Sequence, residues 1–231
     1  MRLPRTAHTD RPWRIHEFAA DFTVEDVWAL TTPGGPDDLV WLVRQITEGN
    51  RNGVNGEGLV SRLLFAVRWR LGAVLGWDAS GTGVGARSPS LRDRLPADLR
   101  EGPRGPDLGS SPFTSLYQRD DEWAAEMGNK TVHGVMHIGW VPDGAGGYRG
   151  QMAVLVKPNG LFGTLYMAAI KPFRYVVVYP ALMRSIGREW QANAARRNAP
   201  AGDAGTPRRT VASLSRSGRP SRRGGRRGPR R

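Results

Sequence analysis

The 231-residue sequence contains no cysteine. This absence excludes a disulfide framework, a thiolate nucleophile and any zinc or iron–sulfur site built on cysteine ligands. Long apolar runs are also missing, and charged residues interrupt the N-terminus, so we expect no signal peptide. The longest apolar stretch, residues 152–186, is broken by Lys157, Lys171, Arg174 and Arg184, so we expect no transmembrane segment. These absences predict a soluble, cytoplasmic protein.

The formal net charge of +13 is concentrated at one end of the chain. Residues 196–231 contain twelve arginines and one acidic residue, which leaves the first 195 residues with a charge of only +2. The same segment consists almost wholly of Arg, Gly, Pro, Ser, Ala and Thr. Such a composition buries too little apolar surface to offset the entropy of ordering. We therefore predict one folded domain over residues 1–195 and a disordered basic tail over residues 196–231.

The arginines of the tail are candidates for contacts with anions. Arg222, Arg223, Arg226 and Arg227 stand in pairs, and such segments neutralise phosphates in a salt-dependent, sequence-independent way. One hypothesis is therefore weak, non-specific binding to nucleic acid or to an anionic membrane surface. The alternative is a solvated tail without a dedicated partner, and the sequence leaves both open.

The N-terminal region predicts short elements. Residues Trp13–Phe18 alternate in a way that indicates, at most, a short strand. Thr23 and Asp26 resemble a capping box flanked by a hydrophobic staple, which predicts a helix beginning at Val24.

Further helices are predicted before the middle of the chain. Helical spacing of apolar residues indicates helices over Asp37–Glu48 and Leu59–Trp77. Residues Asp78–Ser111 are predicted to form a long loop that carries a helical turn or two within Leu91–Leu99.

Four consecutive strands follow, and their connections predict an antiparallel meander. The predicted strands are Phe113–Arg119, Glu122–Met127, Lys130–Val141 and Gly147–Lys157. The dipeptide Gly128–Asn129 favours a two-residue hairpin turn, which would place Trp123 opposite Gly134. A five-residue loop after the third strand would place Trp140 opposite Tyr148.

Both registers predict the same sorting of side chains. One face is apolar: Trp123, Ala125, Met127, Val132, Met136, Ile138, Trp140, Tyr148, Met152, Val154 and Val156. The other face is polar: Glu122, Glu126, Thr131, His133, His137, Arg149 and Gln151. This pattern predicts a sheet with one buried face and one solvated face.

The polar face offers no metal site. Four strand residues span about 13 Å, so His133 and His137 cannot reach one zinc ion, and we expect them at the surface. Asp120, Asp121 and Glu122 are expected to be solvated residues of a hairpin tip.

An apolar segment after the meander predicts the cover for its apolar face. Residues Leu161–Trp190 have a helical pattern that Pro172 and Pro180 interrupt, so we expect a long C-terminal helix with breaks near the prolines. The gap between a curved sheet and this helix is a natural pocket. Its candidate lining residues are Trp123, Met136, Trp140, Tyr148, Met152 and Tyr166. The alternative is that these side chains only fill a core.

Several segments, in order, resemble one family. They are Ser61–Phe65 (SRLLF), Leu71–Gly72, Leu75–Asp78 (LGWD), Asn129–His133 (NKTVH), Tyr166–Tyr179 (YMAAIKPFRYVVVY) and Pro180–Met183. Over residues 10–195 the chain resembles the bacterial family called domain of unknown function 2867. That family is itself similar to the START/Bet v 1-like, helix-grip superfamily, so the resemblance implies an α+β fold in which a curved antiparallel sheet wraps around a long C-terminal helix, with additional N-terminal helices.

The resemblance also implies a hydrophobic-ligand cavity, and it assigns no catalytic residues. The leading expectation is a small apolar ligand held between sheet and C-terminal helix. The alternatives are an anion-binding protein acting through the basic tail and a cyclase- or hydrolase-like enzyme that uses the same cavity. Neither Gly53–Gly58 nor Gly81–Gly85 has the surroundings of a phosphate-binding loop, and we expect no cofactor.

Overall fold

The computed structural model describes residues 1–52, 89–109, 112–128, 132–160, 164, 175 and 179–198. The chain divides into two units, Met1–Asn198 and Ala199–Arg231. The second unit lies outside the described residues. So do the predicted helix 59–77, both glycine-rich loops, Thr131, Pro172, Tyr166 and the arginine pairs of the tail.

Helices and strands of the described residues establish an α+β protein. The helical segments are α1 (Thr6–Thr9), α2 (Ile15–Phe18), α3 (Leu39–Asn52), a 3₁₀ turn (Leu91–Arg94), α4 (Ala97–Glu101) and α5 (Tyr179–Asn198). The strands are β1 (Arg2–Leu3), β2 (Thr23–Ala29), β3 (Thr114–Gln118), β4 (Glu122–Gly128), β5 (Val132–Pro142) and β6 (Tyr148–Pro158). They form one curved antiparallel sheet of order β1-β2-β6-β5-β4-β3. The predicted α+β class, the four-strand meander and the C-terminal helix are thus confirmed.

The registers of the meander differ from the prediction, but its faces do not. Trp123 lies opposite Ile138, four residues from the predicted partner. Trp140 lies opposite Gly150, two residues from the predicted partner. Both shifts are even, and side chains alternate with a period of two, so the described residues keep their predicted faces.

The connections explain these shifts. Gly128 pairs with His133 as part of the ladder, so it is not a turn residue. After β5, the five-residue loop comprises residues 143–147, because Pro142 lies opposite Tyr148. The Asp143 carboxylate closes this loop by accepting hydrogen bonds from two backbone N–H groups within it.

Two N-terminal predictions are wrong. Trp13–Phe18 contains helix α2 rather than a strand, and the helix predicted from Val24 is strand β2. The segment Thr23–Ala29 contains Val and Trp, which are favoured in strands. It forms a strand because it pairs with β1 on one side and β6 on the other. Asp26, which resembled a capping carboxylate, instead accepts a hydrogen bond from the Tyr179 hydroxyl at 3.0 Å.

Other helical predictions agree with the structure. Helix α3 covers the segment predicted over Asp37–Glu48, and the 3₁₀ turn and α4 supply the helical turns predicted within Leu91–Leu99. Helix α5 begins at Tyr179, so Pro180 lies in its first turn, where a missing backbone N–H is tolerated. The helix extends through Asn198, so the first residues assigned to the tail are helical.

Apolar residues cover both faces of the sheet. The face toward α3 and α5, which we call the α5 face, contains Trp28, Leu42, Trp123, Ile138, Trp140, Met152, Ile186 and Trp190. The opposite face, which we call the N-terminal face, contains Trp13, Ile15, Phe18, Phe22, Leu91, Leu95, Tyr117, Val135 and Leu155. The sheet is therefore the middle layer of the described residues and not, as predicted, a sheet with one solvated face.

A close approach of Trp13 to β5 provides a test of the N-terminal layer. A Cβ atom added at Gly139 would lie 2.5 Å from the Trp13 ring. Gly139→Ala should therefore lower the free energy of unfolding by about 1–3 kcal/mol through overpacking. Urea denaturation followed by tryptophan fluorescence measures this change.

Gly134→Ala in the same strand is the matched control. Among the described residues, its Cβ would meet only ordinary contacts, at 3.7 and 3.9 Å. Its effect should be neutral or stabilising by less than about 1 kcal/mol. Equal destabilisation by both variants would contradict the packing of Trp13 on Gly139.

Candidate functional site

The α5 face is closed at one end by large side chains. Trp123, Ile138, Met152 and Trp28 lie side by side across β4, β5, β6 and β2. All four are buried. Their volume leaves this end of the face as a packed core.

Indole hydrogen bonds hold the closed end in place. Trp140 donates to the Gly35 carbonyl at 2.8 Å, and Trp190 of α5 donates to the Pro33 carbonyl at 2.9 Å. The two rings lie 6.0 Å apart. This end of α5 is therefore joined both to the sheet and to the loop before α3.

The adjacent row of the same face has smaller side chains and is less covered. Ala125, Met136, Val154 and Asp26 lie side by side across the same four strands. Met136 and Val154 occupy the two central strands of the sheet, yet both remain partly exposed. Apolar side chains at the centre of a covered sheet are ordinarily buried. Their exposure therefore marks incomplete packing above this row.

A buried carboxylate lies at the end of this row. Asp26 is only 2% exposed and accepts a hydrogen bond from the Tyr179 hydroxyl, at the start of α5. The Tyr179 ring packs against Trp28, with ring centroids 4.9 Å apart. The row thus has an apolar floor and one polar contact at its edge.

The structure distributes the predicted cavity residues over this face. Trp123, Trp140 and Met152 belong to the closed end, whereas Met136 belongs to the less covered row. Tyr148 lies at the start of β6, paired with Gly34, and is partly buried.

Tyr166 and the tail candidates Arg222, Arg223, Arg226 and Arg227 lie outside the described residues. That the cavity candidates line a ligand site stays a prediction. Sequence reasoning missed Asp26, because it assigned this residue to a helix.

The histidines of the N-terminal face are buried, so the prediction that they lie at the surface is wrong. His133 and His137 are 4% and 0% exposed, and Glu122 and Glu126 are also buried. The side-chain alternation was predicted correctly, but this face does not meet water. The segments that cover it, residues 8–22 and 90–99, lie far from these strands in the sequence.

One buried network joins two histidines to a carboxylate. Glu122 accepts hydrogen bonds from Nε2 of His137 at 2.9 Å, from the Tyr117 hydroxyl at 2.9 Å and from the Arg14 backbone N–H at 3.0 Å. Nδ1 of His137 lies 3.1 Å from Nε2 of His8. Because a carboxylate only accepts, the network assigns Nε2–H of His137 to Glu122 and Nε2–H of His8 to His137.

Burial keeps the imidazole of His8 uncharged. Burial first, and then the neighbouring His137 and His16, lower the pKa of His8 from 6.5 to about 2. Burial raises the pKa of the Tyr117 phenol well above 10, and Glu122 adds to this effect. Burial acts to raise the pKa of Glu122, but its hydrogen bonds, that from His137 foremost, outweigh burial and place this pKa below 4.5.

A second network on this face surrounds Glu126. Its carboxylate accepts hydrogen bonds from His133 at 2.8 Å, from the Leu91 backbone N–H at 3.0 Å and from the Ser90 hydroxyl. Ser90 thus donates to the carboxylate of Glu126 and not to an imidazole, so it does not form the serine–histidine pair of a serine hydrolase.

The two histidines of β5 bind separate carboxylates, Glu122 and Glu126. In the described part of the chain, no group of three or more His, Asp and Glu side chains is arranged to hold a metal ion.

The family described as "Protein of unknown function (DUF2867)" matches residues 18–181. The chain belongs to this family. No curated protein and no solved structure matches the chain. The DUF2867 match begins at the end of α2, so it includes strands β2–β6 and the first turn of α5 but not β1, nor α1 and its buried His8.

Among the residues that the structure describes, no helix combines the length and the apolar character needed to cross a bilayer.

The neutral His8 predicts a pH dependence of stability. A histidine whose pKa is lower in the folded state binds its proton more readily when unfolded, so stability is lost as the pH falls below 6.5. Between pH 6.5 and 5 the loss should approach about 1.4 kcal/mol per pH unit for a single group. His8→Gln retains an N–H donor but does not titrate, so it should flatten this slope, as measured by urea denaturation at each pH.

Tyr117→Phe is the control for this experiment. It removes the hydroxyl that donates to Glu122 and should cost about 1 kcal/mol at every pH in this range. The pH slope should persist, because His8 is unchanged. A slope that is the same in wild type and His8→Gln would show that His8 is not its source.

Proposed function

We propose that the protein binds a small, largely apolar ligand between its sheet and its C-terminal helix α5. The observation that carries this proposal is the partial exposure of Met136 and Val154 on the two central strands of a covered sheet. The site is the less covered row of the α5 face, and its floor is Ala125, Met136 and Val154.

The distribution of side-chain volume supports this location. Gly134 lies two residues before Met136 on β5, on the same face and farther from the closed end. Within the described residues, a Cβ atom at Gly134 would meet only the Met127 side chain and the Leu155 carbonyl, at 3.7 and 3.9 Å. A Cβ at Gly150, toward the closed end, would lie 2.6 Å from Leu42. Among the described residues, the contacts on this face are therefore looser at the Gly134 end.

One polar group of the ligand would have a partner at the edge of the row. Asp26 and the Tyr179 hydroxyl form a buried pair beside Val154. A hydroxyl on the ligand would donate to this carboxylate in a site shielded from water, where such bonds discriminate strongly. The proposed ligand class is thus an apolar molecule with a single hydroxyl.

The arrangement also fits the helix-grip architecture, which the resemblance in the sequence implies. In this architecture a curved antiparallel sheet holds a long C-terminal helix and the ligand lies between them. The order of elements in the chain, with the meander before α5, is compatible with it. The assignment to the START-like superfamily remains part of the proposal.

Farnesol and dodecanol are suitable probes, because each combines an apolar chain with one hydroxyl. At about 100 times the dissociation constant, a ligand stabilises the folded state by about 2.7 kcal/mol. For a domain of this size we expect the melting temperature to rise by about 5–10 °C. Gly134→Val should fill the site, abolish this shift and still fold, since valine is favoured in strands.

Gly35→Val is the matched control, in the loop before α3. Among the described residues, a Cβ there meets only the Asp38 carboxylate, at 3.8 Å, and the change should leave the ligand-induced shift intact. Native mass spectrometry counts the bound molecules. If neither alcohol binds, or if both valine variants bind equally well, the proposed site is wrong.

A further inference from the structure

A second cavity lies on the N-terminal face, away from the proposed site between sheet and α5. It has a volume of about 300 Å³. Its polar lining consists of Arg5, Thr9, His16 and Thr23, and its apolar wall contains Phe22, Val24 and Leu155. This volume lies at the lower end of the range of about 300–1,000 Å³ that is typical of small-molecule sites.

The segment containing α1 and α2 supplies three of these four polar residues, and Thr23 comes from β2. Arg5 and Thr9 are one helical turn apart, and the Thr9 N–H donates to the Arg5 carbonyl at 3.1 Å. Side chains at this spacing lie on the same side of a helix. His16 follows in α2, so a guanidinium, a hydroxyl and an imidazole border the same cavity.

Arg5 retains donors for a ligand. The nearest charged partner that the structure gives it is Glu25, with the guanidinium nitrogen 3.7 Å from the carboxylate oxygen. This distance exceeds that of a hydrogen bond, and both side chains are partly exposed. Such a pair contributes little, so a closely bound anion can replace it.

His16 is positioned by the buried network behind it. Its ring packs edge-on against His8, with centroids 4.9 Å apart, and its Nε2 lies 3.4 Å from the His8 carbonyl. His8 itself is 0% exposed and bonded to His137. The imidazole at the wall is therefore backed by a fixed, uncharged neighbour, and the Arg5 guanidinium supplies a permanent positive charge at the cavity.

We propose that this cavity binds a small monocarboxylic acid with a short apolar chain. The carboxylate would lie between Arg5 and His16, because a guanidinium presents paired N–H donors that match a carboxylate. The chain would lie on Phe22, Val24 and Leu155. This site is independent of the alcohol-binding site, since the two lie on opposite faces of the sheet.

Octanoate is the probe, with octanol and octylamine as equally long molecules of different charge. Calorimetric titration of the full-length chain should show one octanoate bound with a dissociation constant below about 1 mM. Octanol and octylamine should each bind at least about tenfold more weakly, because they lose the charged hydrogen bonds to Arg5. In amide NMR spectra, octanoate should shift the signals of residues 16–24.

Three variants separate this cavity from other binding modes. Arg5→Ala should weaken octanoate binding about tenfold or more, and Ala20→Trp should block it, because Ala20 lines the cavity. Both positions are exposed, so both proteins should fold. Glu25→Gln should tighten binding by removing the competing carboxylate. The control Arg44→Ala removes an exposed arginine of α3 and should change nothing.

Three results would overturn the proposal. Absence of saturable octanoate binding, or binding that Ala20→Trp leaves unchanged, overturns the proposal. Equal affinities for octanoate and octanol would also overturn it, since Arg5 would then have no role. Gly134→Val should keep full octanoate affinity. The octanoate test therefore holds even if neither alcohol binds at the site between sheet and α5.

Discussion

The structure depends on the antiparallel pairing of β4, β5 and β6, the central and adjoining strands of a sheet that is covered on both sides. Alternate residues on these strands point to opposite layers, so each strand must satisfy two different environments. Met136 and Ile138 meet the α5 face, whereas His137 between them meets the N-terminal face. The pairing register brings residues of different strands into common rows, and these rows define both the packed core and the candidate ligand site.

Two carboxylates are buried on the N-terminal face, and the segments that cover this face supply some of the hydrogen bonds that they need. Removal of a carboxylate from water costs several kcal/mol unless hydrogen bonds compensate. Glu122 and Glu126 obtain this compensation partly from their own sheet, through His137 and His133, and partly from Arg14, Ser90 and Leu91. The N-terminal segment and the segment that begins near residue 90 therefore complete the hydrogen bonds of the sheet, in addition to covering its apolar side chains.

The two proposed sites follow from unequal packing of the two layers. On the α5 face, large side chains around Trp123 and Trp140 close one end, whereas Met136 and Val154 beside Ala125 remain partly exposed. On the N-terminal face, short helices and turns cannot cover the sheet as continuously as one long helix, and a cavity remains beside His16. The first site is mainly apolar and the second combines a cation with an apolar wall, so they favour ligands of different charge.

Local patterns in the sequence determined the α+β class, the four-strand meander, helix α3 and the sorting of residues between the faces, because alternation and helical spacing are properties of neighbouring residues. The family assignment also followed from sequence alone. Tertiary structure decided whether the segment after Thr23 became a strand, since pairing with β6 supplied the missing partner. It also decided the environment of His137, whose partner His8 lies 129 residues away. Hydrogen bonding and burial across such separations leave no local signal, which is why the histidine-bearing face was expected to meet water.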